Sequence, residues 1–335
     1  MRRMHLNESP YPPAPGVVAA IAEAAANANR YPAADDADFY AALSAYCGVP
    51  QDRLAVTAGS NELLHMLPLI ARAHGAEMVV PDPSFPTYKK VAAFYDITVH
   101  GVPVLPDGRP DIDGVLAAIT PKTRLVCVPS PNNPTGGLVT EDEVKRLVAG
   151  VPDTMLLHFD EAYYEFGRAD GGVDALPILA KRKGPWISSR SFSKAFGLAG
   201  VRLGYAMTGD AALATQIRAL RPNFCVNAIA WAAGKAALAD LGHVDALVAR
   251  TAAERRRLSD GLAVLGFPPL PSAANFVAFP VPAGEGDLAT RVEAAGILTT
   301  TFMMPGNAPA IRITIGTSED TDAVLAALTA CRGQR

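Results

Sequence analysis

A lysine set between small hydroxyl residues and a glycine-rich turn opens the stretch with the most chemistry in it. It reads Ser191-Phe192-Ser193-Lys194-Ala195-Phe196-Gly197-Leu198-Ala199-Gly200-Val201-Arg202-Leu203-Gly204. A lysine amine forms an imine with an aldehyde, and the amine released afterwards can act as a base in proton transfer. Small neighbours let a bulky group approach the backbone. The hydroxyls of Ser191 and Ser193, with the guanidinium of Arg202, supply contacts for a phosphate. An isolated S-x-S-K is ordinarily a surface lysine after a strand, but here Gly197, Gly200, Arg202 and Gly204 accompany it, and the functional reading prevails.

Further candidates lie upstream and downstream. Asp160, in Asp160-Glu161-Ala162-Tyr163, closes an apolar run read as a buried strand, where an ionised carboxylate needs a charged partner. Alone, D-E-A-Y is just as well a loop start. His158 shares Asp160's face of that strand and reads as a hydrogen-bonded core histidine, with a buttress for Asp160 as its other role. Gly59-Ser60-Asn61-Glu62 sits at a strand-to-helix turn, where free N–H groups and the helix dipole attract an anion. As a lone feature it is an ordinary N-cap. Pro131-Asn132-Asn133-Pro134-Thr135-Gly136 is a turn cluster. Arg312 alternates with apolar residues, and its planar fork suits a carboxylate or phosphate; an exposed strand charge is the plain alternative.

To bring such residues together the chain needs a scaffold, and its pattern supplies one. Strands alternating with helices predict a mostly parallel sheet with covering helices, an α/β fold. Strands are expected at 54–57, 78–80 (stopped by Pro81), 97–104, 124–128, 155–159, 186–189 and 203–207. Helices are expected from Pro15 to about Asn27, over 38–47, and from Gly59 to about Ala73. Thr140-Glu141-Asp142-Glu143 is a capping box opening a helix that ends near Val148. After about Leu241 the composition changes. A long helix carries Arg255, Arg256 and Arg257, read as a solvated face. Strands around 275–279 and 312–315 and a last helix over 319–330 follow. The expected division is an N-terminal arm with part of a small domain (1–28), a large domain (29–243) and a small C-terminal α+β domain (244–335).

Composition narrows the classes. Half of the 335 residues are hydrophobic and 19% are charged, ordinary for a globular protein with a sizeable core. A formal net charge of −3 and the absence of a basic run exclude a nucleic-acid field. Cys47, Cys127, Cys225 and Cys331 are spread too widely for a paired metal spacing, and such usage suits reduced thiols in the cytoplasm. Glu8 interrupts the start before any apolar h-region, so no signal peptide is expected, and no apolar run reaches membrane length.

The lysine segment resembles the signature of the class I/II, fold-type I aminotransferases, and the chain from Leu6 to Thr317 is similar to their histidinol-phosphate aminotransferase branch. That resemblance implies pyridoxal 5'-phosphate as cofactor, bound covalently by Lys194. It implies a large domain with a mostly parallel sheet plus a smaller α+β domain. Asp160 would pair with the pyridine nitrogen, and Tyr163 and Asn133, in an N-P-T-G-like loop, with the ring's phenolic oxygen. Ser60, Asn61, Ser191, Ser193 and Arg202 would hold the phosphate. Pro83-Ser84-Phe85-Pro86-Thr87-Tyr88 resembles P-T-Y-x-x-Y, with Phe85 replacing the stacking tyrosine and losing its hydroxyl. Tyr31 resembles the tyrosine that reaches across a homodimer to the partner's cofactor phosphate, Tyr11 the one that closes over the substrate, and Arg312 the one that binds the substrate's carboxylate or anionic end.

One departure bears on substrate. In Gly296-Ile297-Leu298-Thr299-Thr300-Thr301-Phe302-Met303-Met304, Thr300 stands where histidinol-phosphate enzymes usually carry an arginine. Losing a guanidinium disfavours a dianionic phosphate and suits an aromatic or other apolar side chain, unless Arg30, Arg109 or an arginine from the partner subunit fills the gap. The expected reaction passes an amino group between an amino acid, or histidinol phosphate, and a 2-oxo acid. The alternatives are a lyase of the threonine-phosphate decarboxylase type and, last, a non-catalytic cofactor-binding regulator, for which no appended DNA-binding segment is evident.

Overall fold

A computed structural model describes residues 1–332; residues 333–335, the end of the expected C-terminal domain, lie outside the described part. The first strand, β1 (Arg2–Arg3), pairs in parallel with a short strand far along the chain. The large sheet is built from β2 (Leu54–Thr57), β3 (Glu77–Asp82), β4 (Thr98–Pro103), β5 (Thr123–Pro129), β6 (Leu156–Asp160), β7 (Trp186–Ser191) and β8 (Gly204–Thr208), in the order β2-β8-β7-β6-β5-β3-β4. Within it β8 runs antiparallel to both its neighbours, and the other pairings are parallel. The C-terminal ends of β2, β3, β5, β6 and β7 therefore meet along one edge. The remaining strands are β9 (Phe276–Pro280), β10 (Ile297–Leu298), β11 (Thr300–Met304) and β12 (Ala308–Thr314); β10 is the partner of β1, and the other three form a sheet in the order β11-β12-β9.

The central strands are apolar on both faces because helices cover both. Along β5, Leu125 and Cys127 pack with Met78, Leu156 and Ile187, while Val126 and Val128 pack on the opposite face with Leu157, Phe159 and Trp186. The smaller sheet buries Val277, Phe279, Ile311 and Ile313 against Leu258, Leu262 and Leu328.

Two expectations are corrected. β3 does not stop at Pro81 but runs to Asp82. Pairing with β5 ends at Val79, so on that side Pro81's missing N–H falls past the ladder. Nor is the Arg255–Arg257 cluster wholly solvated. The helix Leu241–Val264 buries Thr251, Arg255, Leu258 and Leu262 at helical spacing. Arg255 thus lies on the inner stripe, donating to the Ala274 carbonyl at 2.8 Å and pairing with Asp170, while Arg256 and Arg257 face outward. The capping box is present: Thr140 Oγ1 accepts from Glu143 N–H, and Glu143 Oε2 from Thr140 N–H. No helix among the described residues is long and apolar enough to cross a membrane.

Candidate active site

Along the shared strand edge lies a cavity of about 440 Å³, within the range of small-molecule sites. Asp160 ends β6, Ser191 ends β7, Asn133 follows β5, Phe85 follows β3, and Ser60 opens the helix Ser60–Ile70 after β2. All five line the cavity, with Asn61, Tyr163, Ser193, Lys194, Arg202 and Arg312. A crevice outside the carboxyl ends of parallel strands is where open α/β sheets bind ligands, because loops of different strands converge there.

Lys194 Nζ donates to the carbonyls of Asn7 at 2.9 Å and Leu6 at 3.3 Å. Burial, reinforced by the charges of Arg312 and Arg202 and opposed by Glu8, lowers the Lys194 pKa to about 8. Asp160 is held from three sides: Tyr88 Oη donates to Oδ2 at 2.7 Å, the Ala162 N–H to Oδ1 at 3.0 Å, and Ser189 Oγ to Oδ1 at 3.4 Å. His158 Nε2 lies 2.9 Å from Ser189 Oγ, and burial pushes its pKa down to about 4. It is thus a neutral, hydrogen-bonded core histidine that reaches Asp160 through Ser189. Tyr163 Oη accepts from Asn7 Nδ2 at 2.9 Å, and burial raises its pKa.

Around Ser60 and Arg202, close approach decides the residues. A Cβ on Gly59 would lie 2.5 Å from Arg202 Nη2, and one on Gly204 2.3 Å from the Ser60 nitrogen. Two glycines therefore let Arg202 and the start of β8 lie against the first turn of the helix Ser60–Ile70, whose leading N–H groups have no intrahelical partner.

Opposite, the smaller sheet delivers Arg312. Thr300 on β11 is its cross-strand partner. Arg312 Nη2 donates to Thr300 Oγ1 at 3.0 Å and to the His5 carbonyl, and Nη1 donates to Asn133 Oδ1. Within this one chain, neither proposed substitute stands at Thr300. Arg109 is spent on Asp107 and Glu143, and Arg30 is exposed; neither lines the cavity.

Tyr31 and Tyr11 do not line this chain's own cavity. Tyr31 is 84% exposed and stacked on Phe224 with ring centroids 4.8 Å apart. Tyr11 is half-buried with Arg250 over its ring at 5.7 Å. Tyr88, which orients Asp160, and His5–Glu8, which line the cavity, are site residues beyond those legible in the sequence. The parallel pairing of Arg2 with Ile297 and Arg3 with Leu298, and the hydrogen bond from the Thr314 N–H to the Met4 carbonyl at 2.9 Å, carry the His5–Glu8 segment inside.

A mostly parallel sheet with a lysine, a carboxylate and an anion-binding turn at one edge defines a class of cofactor-dependent enzymes, and comparison with known proteins specifies which. Residues 3–328 match the family Aminotransferase class I and II, to which this chain belongs. It is 40% identical over 320 residues to an aromatic amino acid aminotransferase of Rhodococcus jostii (strain RHA1), covering 96% of this chain and 87% of that protein. It is 35% identical over 331 residues to a histidinol-phosphate aminotransferase of Jannaschia sp. (strain CCS1), covering 98% and 90%. The crystal structure of histidinol-phosphate aminotransferase from Sinorhizobium meliloti in complex with pyridoxal-5'-phosphate superimposes with a TM-score of 0.92 at 31% identity, over 100% of this chain and 92% of that one. The chain is an aminotransferase of fold-type I, and its cofactor is pyridoxal 5'-phosphate.

The residues present fit that group. Lys194 offers a nitrogen of lowered pKa for the aldehyde, and Phe85 and Ala162 form apolar wall for a ring. Gly59, left without a Cβ, makes room for Arg202 beside a helix N-terminus suited to the phosphate.

Proposed function

We propose that this aminotransferase takes aromatic amino acids as donors to a 2-oxo acid acceptor. The cation count of the cavity carries the reading. Among the described residues that line it, the arginines are Arg202 and Arg312, and Lys194 is the only lysine. With Arg202 beside the phosphate turn and Arg312 on the substrate's carboxylate, no guanidinium of this chain's own cavity is left for a side-chain phosphate. A phosphate buried without one keeps an uncompensated desolvation cost. Leu6, Leu64 and Phe85 give apolar wall, and Glu8 adds a like charge against a phosphate. The name of the Rhodococcus jostii relative supports the same reading.

In this reading Lys194 holds the cofactor, and its Nζ, steadied by the Leu6 and Asn7 carbonyls when free, takes and returns the substrate's α-proton. Pyridoxal phosphate supplies the carbonyl and the electron sink. Asp160, its oxygens oriented by Tyr88 and the Ala162 N–H, would pair with the pyridine nitrogen. Tyr163 and Asn133 serve the phenolic oxygen, Phe85 the ring, and Ser60, Asn61, Ser191, Ser193 and Arg202 the phosphate. Arg312 binds the carboxylate, and Tyr11 belongs to the arm over the substrate. The proposed division is an N-terminal arm with part of the small domain (1–28), a large domain (29–243) and a small domain (244–335), and residues of all three line the cavity.

The working form is a homodimer in the cytoplasm, with Tyr31 serving the partner's site. The exposed Tyr31–Phe224 stack supports the first point and the four unpaired cysteines the second. A fully active monomer by sedimentation would overturn the dimer.

The test of substrate is a kcat/KM comparison of phenylalanine, tyrosine, tryptophan and histidinol phosphate. Aromatic donors should match or exceed histidinol phosphate, and Thr300→Arg should selectively improve the latter. A wild-type preference for histidinol phosphate of about a hundredfold or more would overturn the proposal.

A further inference from the structure

Asn7 is buried to 1% exposure and adopts φ 54, a left-handed conformation that asparagine tolerates better than most residues. Its backbone N–H, which can only donate, gives its proton to Thr314 Oγ1 at 3.0 Å. Thr314, at the end of β12, then gives its own proton to Asn7 Oδ1 at 3.0 Å. With the carbonyl end of the amide engaged, Nδ2 faces Tyr163 Oη at 2.9 Å and can only donate to it. The reverse arrangement, with the amide flipped, would leave the Thr314 proton without an acceptor inside a buried site. No other hydrogen bond reaches Tyr163 Oη among the described residues, and Tyr163 lines the cavity. Its own proton is left free for the cavity.

We propose that Asn7 and Thr314 form a one-way hydrogen-bond relay that fixes Tyr163 as a donor into the cavity. Both are positioning residues that act through Tyr163. The proposal rests on the reading that Tyr163 serves the cofactor's phenolic oxygen. A hydroxyl free to rotate would divide its time between donating inward and donating back to the protein. A hydroxyl held as donor stabilises the ionised form of that oxygen throughout.

The readout is the pH midpoint of the visible absorption change of the cofactor-loaded enzyme without substrate, so turnover does not enter. Removing a donor from an ionised oxygen raises such a midpoint. Thr314→Val, nearly isosteric, should raise it by on the order of half a pH unit to one unit. Thr314→Ser should keep the wild-type value. Asn7→Gly, which tolerates the left-handed backbone and lacks the amide, should act like Thr314→Val and serves if that variant does not fold. Tyr163→Phe should raise the midpoint at least as far, and Thr314→Val added to it should change nothing more. If Tyr163→Phe leaves the midpoint in place, the assignment of Tyr163 to that oxygen falls. If Tyr163→Phe moves it while Thr314→Val and Asn7→Gly do not, the relay falls and the reading of Tyr163 stands.

Discussion

Replacing Arg312 with lysine keeps the charge and removes the fork, which separates the two things this residue supplies. In the wild type Nη1 is engaged by Asn133, Nη2 by Thr300 and the His5 carbonyl, and the guanidinium stands 5.4 Å from the Phe276 ring. A lysine nitrogen is a single point and cannot span Asn133 and Thr300 while also facing a carboxylate. At least one charge-assisted hydrogen bond to the substrate should be lost, worth about 1.5–3 kcal/mol, or roughly ten- to 150-fold in kcat/KM. If Arg312 binds the carboxylate equally in ground and transition states, the loss should fall mainly on KM. Arg312→Gln should lose more, because the charge goes too. The assay is steady-state transamination of an aromatic amino acid, with thermal melting as the control for folding. Thr300→Val, which removes one prop and leaves the fork, should cost less than Arg312→Lys. A folded Arg312→Lys enzyme within about threefold of wild type would refute the anchor.

Two further predictions follow from burial and charge. In cofactor-free protein, amine labelling of Lys194 against pH should show a midpoint near 8 instead of the ordinary 10.5. Arg312→Gln should raise that midpoint, since burial and the neighbouring guanidinium both disfavour the ammonium; a wild-type midpoint at or above about 10 would count against this environment. Glu161→Gln should destabilise the fold, because Arg190 Nε pairs with Glu161 Oε2 at 3.1 Å with side chains only 2% and 3% exposed. Removing one partner strands a buried charge at a cost of about 3–5 kcal/mol, measured by denaturant unfolding, and a loss under about 1 kcal/mol would contradict it.

Much of the site was legible because its signals are local. The glycines around Lys194, the apolar run ending at Asp160 and the strand-to-helix turn at Ser60 each depend on residues within a few positions, where sterics and hydrogen-bonding patterns act directly. The alternation of strands and helices is equally local, so the sheet could be read, with edges a residue or two off. What the sequence could not carry is register and docking. Thr300 meets Arg312 because β11 and β12 pair in one antiparallel register, and a slip of one residue would turn either side chain to the other face. Arg255 is buried by the rotation of a helix whose charged triplet looked solvated. Asn7 and Tyr88 reach Tyr163 and Asp160 across large separations in sequence, 156 and 72 residues. The sequence by itself determined the chemistry available and the elements that bear it, through short-range preferences. Only the tertiary structure decided which distant polar groups share a buried space, since those partners are selected by the need to satisfy every donor and charge once water is excluded.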